Sequence, residues 1–515
     1  MKLEMELLPR VQETPLLGFD EYVNQVMRDW QVPGLAIAIV KDDAVVLAKG
    51  YGVQKLGGLA PVNEYTLFAL SSCSKAFTVA SLAMLVDEGK LNWDERLKKY
   101  LPSFQLYDPY VTRELTVRDL LTHRSGLPAS DRLWYGSTCS RDEILHHIRY
   151  LRPAWSFRSQ FCYQNIMYLA AGQIIPAVTG KSWDDFVQER IFTPLRMSSS
   201  NTSITALEGA DNTVTPHAKI DDQIQAVPWL NVDNIGAAGA INSNIVDMTQ
   251  WLRLLLGEGS YQNQQLFSSS VAKEMWKPQI VMPLVPPMPP LPKPDFSTYG
   301  LAWALFDYRG RKVVSHSGGI DGMACRIGLI PEEKLGLVIL SNLGHRGLPS
   351  VLMYRILDAY LGAPEHDWSP EYLQLFKSFE EENKTNQKKV EEARIPGTKP
   401  SLALEKFPGT YQNQMYGNAR ITEENGKLVL RLSLIPNLVG HLEHWHYDTF
   451  QVTWQNPTVA FENKDFVMFV LNSQGKIDKM NMEPNFSDSG FKRLPEAAYT
   501  PATVKIQVED LTKGL

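Results

Sequence analysis

Ser72 and Lys75 stand three residues apart in the stretch Phe68-Ala-Leu-Ser-Ser-Cys-Ser-Lys-Ala-Phe77. On a helix that spacing puts a hydroxyl and an amine one turn apart on one face. A serine hydroxyl alone is a poor nucleophile. It needs a base within reach and a field that favours the developing alkoxide. The amine is the candidate base, and the positive end of a helix is the candidate field. The four-residue pattern is common by chance, and most copies are solvated helix surface. The neighbouring run is less ordinary. Residues 76–86 are apolar nearly all round, as in a buried helix, and Gly89 supplies a stop. A lysine at the head of a buried helix is poorly explained as solvent-facing decoration.

Such a pair needs helpers, and two later stretches offer them. Tyr163-Gln164-Asn165 places a phenol and a carboxamide two residues apart, able to reach one cavity from a loop. Alone, they read as a core tyrosine and a helix cap. His316-Ser317-Gly318-Gly319 closes an expected strand with two glycines. Glycine lets backbone approach a ligand closely, and backbone N–H groups make oxyanion donors. His316 alone reads as a satisfied strand-end histidine. Cys73 neighbours Ser72, but one step along a helix turns it about 100 degrees away, so it reads as packing.

The ordered set Ser72-x-x-Lys75, Tyr163-x-Asn165, His316-Ser317-Gly318 resembles the three motifs of the penicillin-recognising serine hydrolases. The nearest branch is the class C β-lactamase-related group, which includes esterases, D-aminopeptidases and DD-carboxypeptidases. Thr116-Val-Arg-Asp-Leu-Leu-Thr-His-Arg-Ser-Gly-Leu127, Tyr299-Gly-Leu-Ala-Trp303 and Gly318-Gly-Ile-Asp-Gly322 resemble it too. The resemblance covers roughly 15–362. It implies Ser72 as the acylated nucleophile, with Lys75 and Tyr163 sharing proton transfer. It implies Asn165, His316, Ser317, Gly318 and Gly319 as substrate-binding residues, with the N–H groups of Ser72 and Gly319 as the oxyanion hole. No cofactor or metal is implied. His316 stands where true β-lactamases carry the lysine of Lys-Thr-Gly. Losing that cation weakens the case for a substrate carboxylate and points to the esterase and aminopeptidase relatives.

The rest of the chain supplies the scaffold. Residues 19–30 read as an amphipathic helix, 34–40 and 44–51 as a hairpin, and 91–102 as a short helical piece. Residues 115–128 read as a helix running into a turn, with His123 and Arg124 structural. Residues 312–316, 325–330 and 335–341 read as strands and 349–362 as a helix. Strands at both ends bracket a helical middle, so the expected fold is α/β (α+β). It is one antiparallel sheet flanked by helices, with an inserted helical subdomain. Residues 278–294 hold eight prolines and cannot be helix or central strand. They read as a stiff surface loop, a wall over the site or a polyproline segment. Trp134-Tyr135 is a second candidate for shaping the pocket.

From residue 364 the texture changes. Residues 376–394 are densely charged and read as a solvated helix before a linker. Beyond 407, short strands at 419–422, 427–431, 450–454, 458–461, 466–471 and 476–481 alternate with turns, Asn425-Gly426 being a hairpin signal. The expected layout is a hydrolase domain over 1–362 and a charged helix and linker over 363–404. A lipocalin-like all-β barrel over 405–497 and a tail over 498–515 complete it. His441, His444 and His446 could share a metal, but aromatic neighbours favour packing.

The 515 residues, 44% hydrophobic and 21% charged, carry a net charge of -6, which gives no electrostatic case for nucleic acid or an anionic membrane. The four cysteines lack metal or framework spacing and read as reduced thiols or incidental pairs. Acidic residues near the start argue against a signal peptide, and no stretch approaches a membrane span, so the expectation is cytoplasmic. The expected partner is a small ester, amide or short-peptide substrate, with homo-oligomerisation left open. Two other functions fit the same residues: acyl transfer or peptide cyclisation through the same acyl-enzyme, and a non-catalytic binding protein on this fold.

Overall fold

A computed structural model describes residues 15–283, 294–345, 347–455, 464–486 and 490–495. Most of the proline-rich stretch, the 458–461 strand and the 498–515 tail lie outside the described residues, as does the opening decapeptide. The chain divides into two compact units. The first runs through Asn386, and the second takes in Gln387 onward with Gly136–Thr138.

The first unit is built on an eight-stranded antiparallel sheet. Its strands are β1 (Gly34–Lys41), β2 (Ala44–Gly52), β3 (Ile280–Val281), β4 (Ser297–Tyr299), β5 (Ala304–Tyr308), β6 (Arg311–Ile320), β7 (Met323–Ile330) and β8 (Leu335–Ser341), in the order β2-β1-β8-β7-β6-β5-β4-β3. The N-terminal hairpin thus pairs with the last strand, Leu35 opposite Ser341. β1 is buried on both faces because its residues alternate in size. Leu35, Ile37 and Ile39 join the core formed with the helices α1 (Phe19–Asp29) and Gly347–Tyr360. Ala36 and Ala38 lie on the other face, together with Gly336 of β8, and there the helix Ile245–Leu256 packs closely.

The helix α2 (Ser74–Asp87) forms from the apolar run, with every residue from Ser74 to Leu85 buried. Two expected helical pieces are shorter than the sequence suggests. Residues 91–102 hold only the 3-10 turn Leu97–Lys99, because the run is too short and is interrupted by Asn92 and Asp94 turn chemistry. In 115–128 the helix is just Val117–Leu121, fixed by a capping box between Thr116 and Asp119. The charged helix is longer at its start, spanning Ser369–Glu392. Tyr372 is buried there, and Phe376 packs on Trp30 and His345 at ring distances of 5.9 and 4.4 Å. Charge density beyond Phe379 hides this apolar start.

His345 carries a pH consequence. Burial pushes its imidazole down to about 4, while in an unfolded chain it titrates near 6.5. Between those values the unfolded chain binds the proton and the native state does not, so stability falls as pH drops through that window. The expected loss from this one group is up to about 3 kcal/mol below pH 4. Denaturant midpoints measured from pH 7 down to 4.5 should fall for wild type and fall less for His345→Gln. Equal slopes would contradict the assignment.

The second unit holds a closed antiparallel barrel of eight strands, from Gly409–Asn413 to Gly490–Arg493, the last pairing with the first through Tyr411 and Arg493. Closure removes every sheet edge. Phe407, Tyr411, Phe450 and Phe469 meet edge-to-face inside it. The histidine stretch lies on the long strand Ile435–His446, and a bulge between His444 and His446 puts these two on opposite faces. His444 Nε2 contacts the Tyr447 carbonyl at 2.9 Å, and His441 Nε2 pairs with Gln455 at 3.1 Å. No metal-type cluster of three such side chains occurs among the described residues.

Candidate active site

The nucleophile candidate sits at a sharp entry to α2. Ser71–Cys73 form a single 3-10 turn, and Ser71 holds a left-handed φ of 48°. The turn lies directly on β6. A Cβ on Gly318 would fall 2.3 Å from the Leu70 carbonyl and 2.5 Å from Cys325 Sγ, so only glycine admits this contact. The Ser71 hydroxyl closes the junction, donating to the Gly319 carbonyl at 2.7 Å and accepting from the Gly319 N–H at 3.1 Å. That second bond engages one of the two expected oxyanion donors.

Lys75 is fully buried. Its Nζ lies 3.1 Å from Ser72 Oγ, 2.8 Å from Asn165 Oδ1 and 2.8 Å from the Ala238 carbonyl. It also sits over the Tyr163 ring, 4.9 Å from the centroid. The structure therefore brings Ser72, Lys75, Tyr163 and Asn165 together. Asn165 is the first residue of the helix Asn165–Thr179, capped by the preceding Gln164 rather than by itself. Asn165 Nδ2 donates to Asp131 Oδ1 at 3.1 Å, which fixes the carboxamide so that its oxygen faces Lys75. Trp134 Nε1 donates to the same Asp131 oxygen at 2.7 Å.

Several contributors escape sequence reasoning. His123, structural by sequence, stacks its ring on Tyr163 at 4.2 Å, and its Nδ1 accepts from the Gln164 N–H at 3.0 Å. Burial first, then the charges of Lys75 and His316, hold its imidazole well below the usual range, so it stays uncharged beside Lys75. The motif Thr-His-Arg-Ser-Gly is the signal that could have found it. Asp119 anchors that segment through Arg124 and Arg158, at 2.6 and 2.7 Å. Ser71 and Asp131 leave no pattern to read, since their roles depend on distant partners.

His316 is buried and its ring is already engaged. Nδ1 pairs with the Ser317 carbonyl at 2.7 Å, and Nε2 lies 3.0 Å from Tyr299 Oη. Those partners match the strand-end histidine reading, and Ser317 stays partly exposed beside it. Cys73 points into the sheet, its Sγ 3.1 Å from Cys325 Sγ, and burial pushes its thiol up. A buried, protonated thiol is no nucleophile.

Residues 19–360 match the Beta-lactamase family model, two thirds of the chain. The chain belongs to the Beta-lactamase family. Residues 393–493 match a domain of unknown function, DUF3471. Among curated relatives of this Beta-lactamase family chain, the "Unguisins hydrolase ungD" of Aspergillus violaceofuscus is 29% identical over 82% of this chain and 79% of its own. "Unguisins hydrolase ungD'" of Aspergillus campestris is 30% identical over 77% and 76%. Solved structures share the fold. The octameric penicillin-binding protein homologue from Pyrococcus abyssi matches at TM-score 0.61 and 21% identity, over 92% of this chain and 99% of that one. A class C β-lactamase from Rhodobacter sphaeroides matches at TM-score 0.54 and 21% identity, over 67% and 99%. The protein is thus a β-lactamase-fold member of a serine hydrolase family. Among the described residues no helix is long and apolar enough to cross a membrane.

Proposed function

We propose that this chain hydrolyses a carboxylic ester or a peptide-type amide through an acyl-enzyme on Ser72. The observation that carries the reading is the Lys75 amine, fully buried and 3.1 Å from the Ser72 hydroxyl. As a free amine, its two N–H groups donate to Asn165 Oδ1 and the Ala238 carbonyl, and its lone pair faces the Ser72 proton. Ser72 Oγ bonds to the substrate carbonyl carbon as Lys75 takes that proton. The leaving alkoxide or amine departs with a proton routed through Tyr163. Water then attacks the acyl carbon, and Ser72 recovers its proton. Asn165 holds the Lys75 amine through its carbonyl oxygen, the Ser72 N–H is the expected oxyanion donor, and the Gly319 N–H joins it on leaving the Ser71 hydroxyl.

The engaged His316 ring and the absence of a lysine at that position favour a substrate without a carboxylate at this subsite. The names of the two fungal relatives favour hydrolysis over acyl transfer. The test is intact-mass spectrometry after exposure to p-nitrophenyl esters, D-amino-acid amides and a penicillin. A single acyl adduct that maps to the Ser72 peptide and decays with product release is the expected result. An adduct elsewhere overturns the assignment, and transfer to an added amine in place of water makes the enzyme an acyl transferase.

A further inference from the structure

Ser71 and Ser72 stand side by side at the head of α2, and the bonds that form and break above involve only the second. Ser72 is partly exposed and within reach of Lys75, while Ser71 is buried and reaches β6. β5 pairs with β6 only as far as Ser315, and among the described residues no strand lies along that edge from His316 onward. The Ser71 hydroxyl fills the edge at Gly319. It donates to the Gly319 carbonyl at 2.7 Å and accepts from the Gly319 N–H at 3.1 Å.

This clasp is not what seats the turn. The Cys325 thiol donates to the Leu70 carbonyl at 2.9 Å, and the Leu70 N–H donates to the Ile241 carbonyl at 2.8 Å. The backbone does not call for a serine either. A φ of 48° strains any residue with a Cβ, and glycine would sit there freely. What the hydroxyl supplies is an acceptor for a backbone amide next to the nucleophile. An oxyanion on the carbon bound to Ser72 calls on the same N–H, and one hydrogen cannot serve both oxygens at full strength.

We propose that Ser71 is a positioning residue that withholds the Gly319 N–H in the empty enzyme and sets how readily it is given to the oxyanion. The inference rests on the hydrolase reading above and deepens it, naming a control on that site that lies outside the three motifs. Rotation of the Ser71 hydroxyl about χ1 breaks both bonds to Gly319 and frees its N–H. A neutral ground-state carbonyl is no better an acceptor than the hydroxyl and displaces it poorly. A tetrahedral oxyanion carries charge, bonds more strongly and displaces it. Ser71 therefore weakens the hold on every tetrahedral species by what its own two bonds contribute.

The experiment measures binding of phenylboronic acid by calorimetry at one pH. A lone pair of Ser72 Oγ forms the O–B bond as the hydroxyl proton passes to Lys75, which gives a tetrahedral anion. Ser71→Ala, which removes only the hydroxyl, should bind the acid about five-fold or more tightly than wild type. Ser71→Gly should do the same, and it carries the comparison if the alanine protein does not fold. Ser72→Ala should not bind it. A loosened turn would weaken binding, so the sign separates this role from a structural one. Ser72-dependent binding that is equal or weaker in the Ser71 variants overturns the proposal and leaves the hydrolase reading standing. No Ser72-dependent binding in wild type or in either Ser71 variant overturns the hydrolase reading and the proposal with it.

Discussion

Lys75→Met should remain folded and lose roughly three orders of magnitude or more in kcat/KM, the scale expected when a general base is removed from a unit that also contains the nucleophile. Methionine fills much the same volume, so the helix interior stays packed. The Asn165 and Ala238 oxygens lose a donor, which costs about 1 to 3 kcal/mol each but also relieves a buried amine of its desolvation. Lys75→Arg is the sharper control. It supplies donors and a fixed positive charge but cannot act as a free base at working pH. If Lys75 serves as the base, both variants are silent towards the best substrate of the ester panel. Substantial activity in the arginine protein would mean that Lys75 contributes charge alone and that the proton leaves by Tyr163.

Asp119→Ala should be strongly destabilising to the first unit. Asp119 has no solvent exposure and accepts from Arg124 at 2.6 Å, from Arg158 at 2.7 and 3.0 Å, and from the Thr116 N–H and hydroxyl at 2.9 and 2.8 Å. Removing the shared anion leaves two guanidinium groups facing each other and uncaps a helix. Breaking such a buried pair costs about 3 to 5 kcal/mol, and the 42% exposure of the Arg158 side chain puts the expectation at the lower end. Urea denaturation reads this directly. Activity should fall further than stability alone explains, because the tethered segment carries His123, whose ring lies under Tyr163 and whose carbonyl receives the Cys162 N–H at 2.7 Å. A destabilisation under 1 kcal/mol would show that solvent replaces the carboxylate at no great loss.

The central elements are legible because local pattern and tertiary role agree. β1, β8 and α2 are apolar runs whose ends carry turn or stop residues, and they form where periodicity places them. The ordered motifs also fall together, with Ser72, Lys75, Tyr163 and Asn165 at one place. The features that escape a reading of the sequence depend on partners far along the chain. Asp131 looks like any loop aspartate until Asn165 and Trp134 converge on it. His123 looks structural until Tyr163 is laid over it. Two scattered cysteines become neighbours only when β7 passes behind the Ser72 turn. The short strands Ile280–Val281 and Ser297–Tyr299 belong to the sheet only through their pairing, and nothing in two or three residues announces that.

The pairing of β1 with β8 sets a timetable for biosynthesis. Leu35 meets Ser341, so the partner of the N-terminal hairpin is made roughly three hundred residues later. At ordinary elongation rates the nascent hairpin waits on the order of tens of seconds with an unsatisfied β1 edge of Leu, Ala, Ile and Val. The helical insertion can collapse on itself during that interval, but the sheet beneath the Ser72 turn cannot. The Ser72 turn, which rests on β6 and β7, is therefore assembled only near the end of synthesis of this unit, and a chain cut short before Leu335 holds the motif residues Ser72 to Gly319 without the strand that completes their floor.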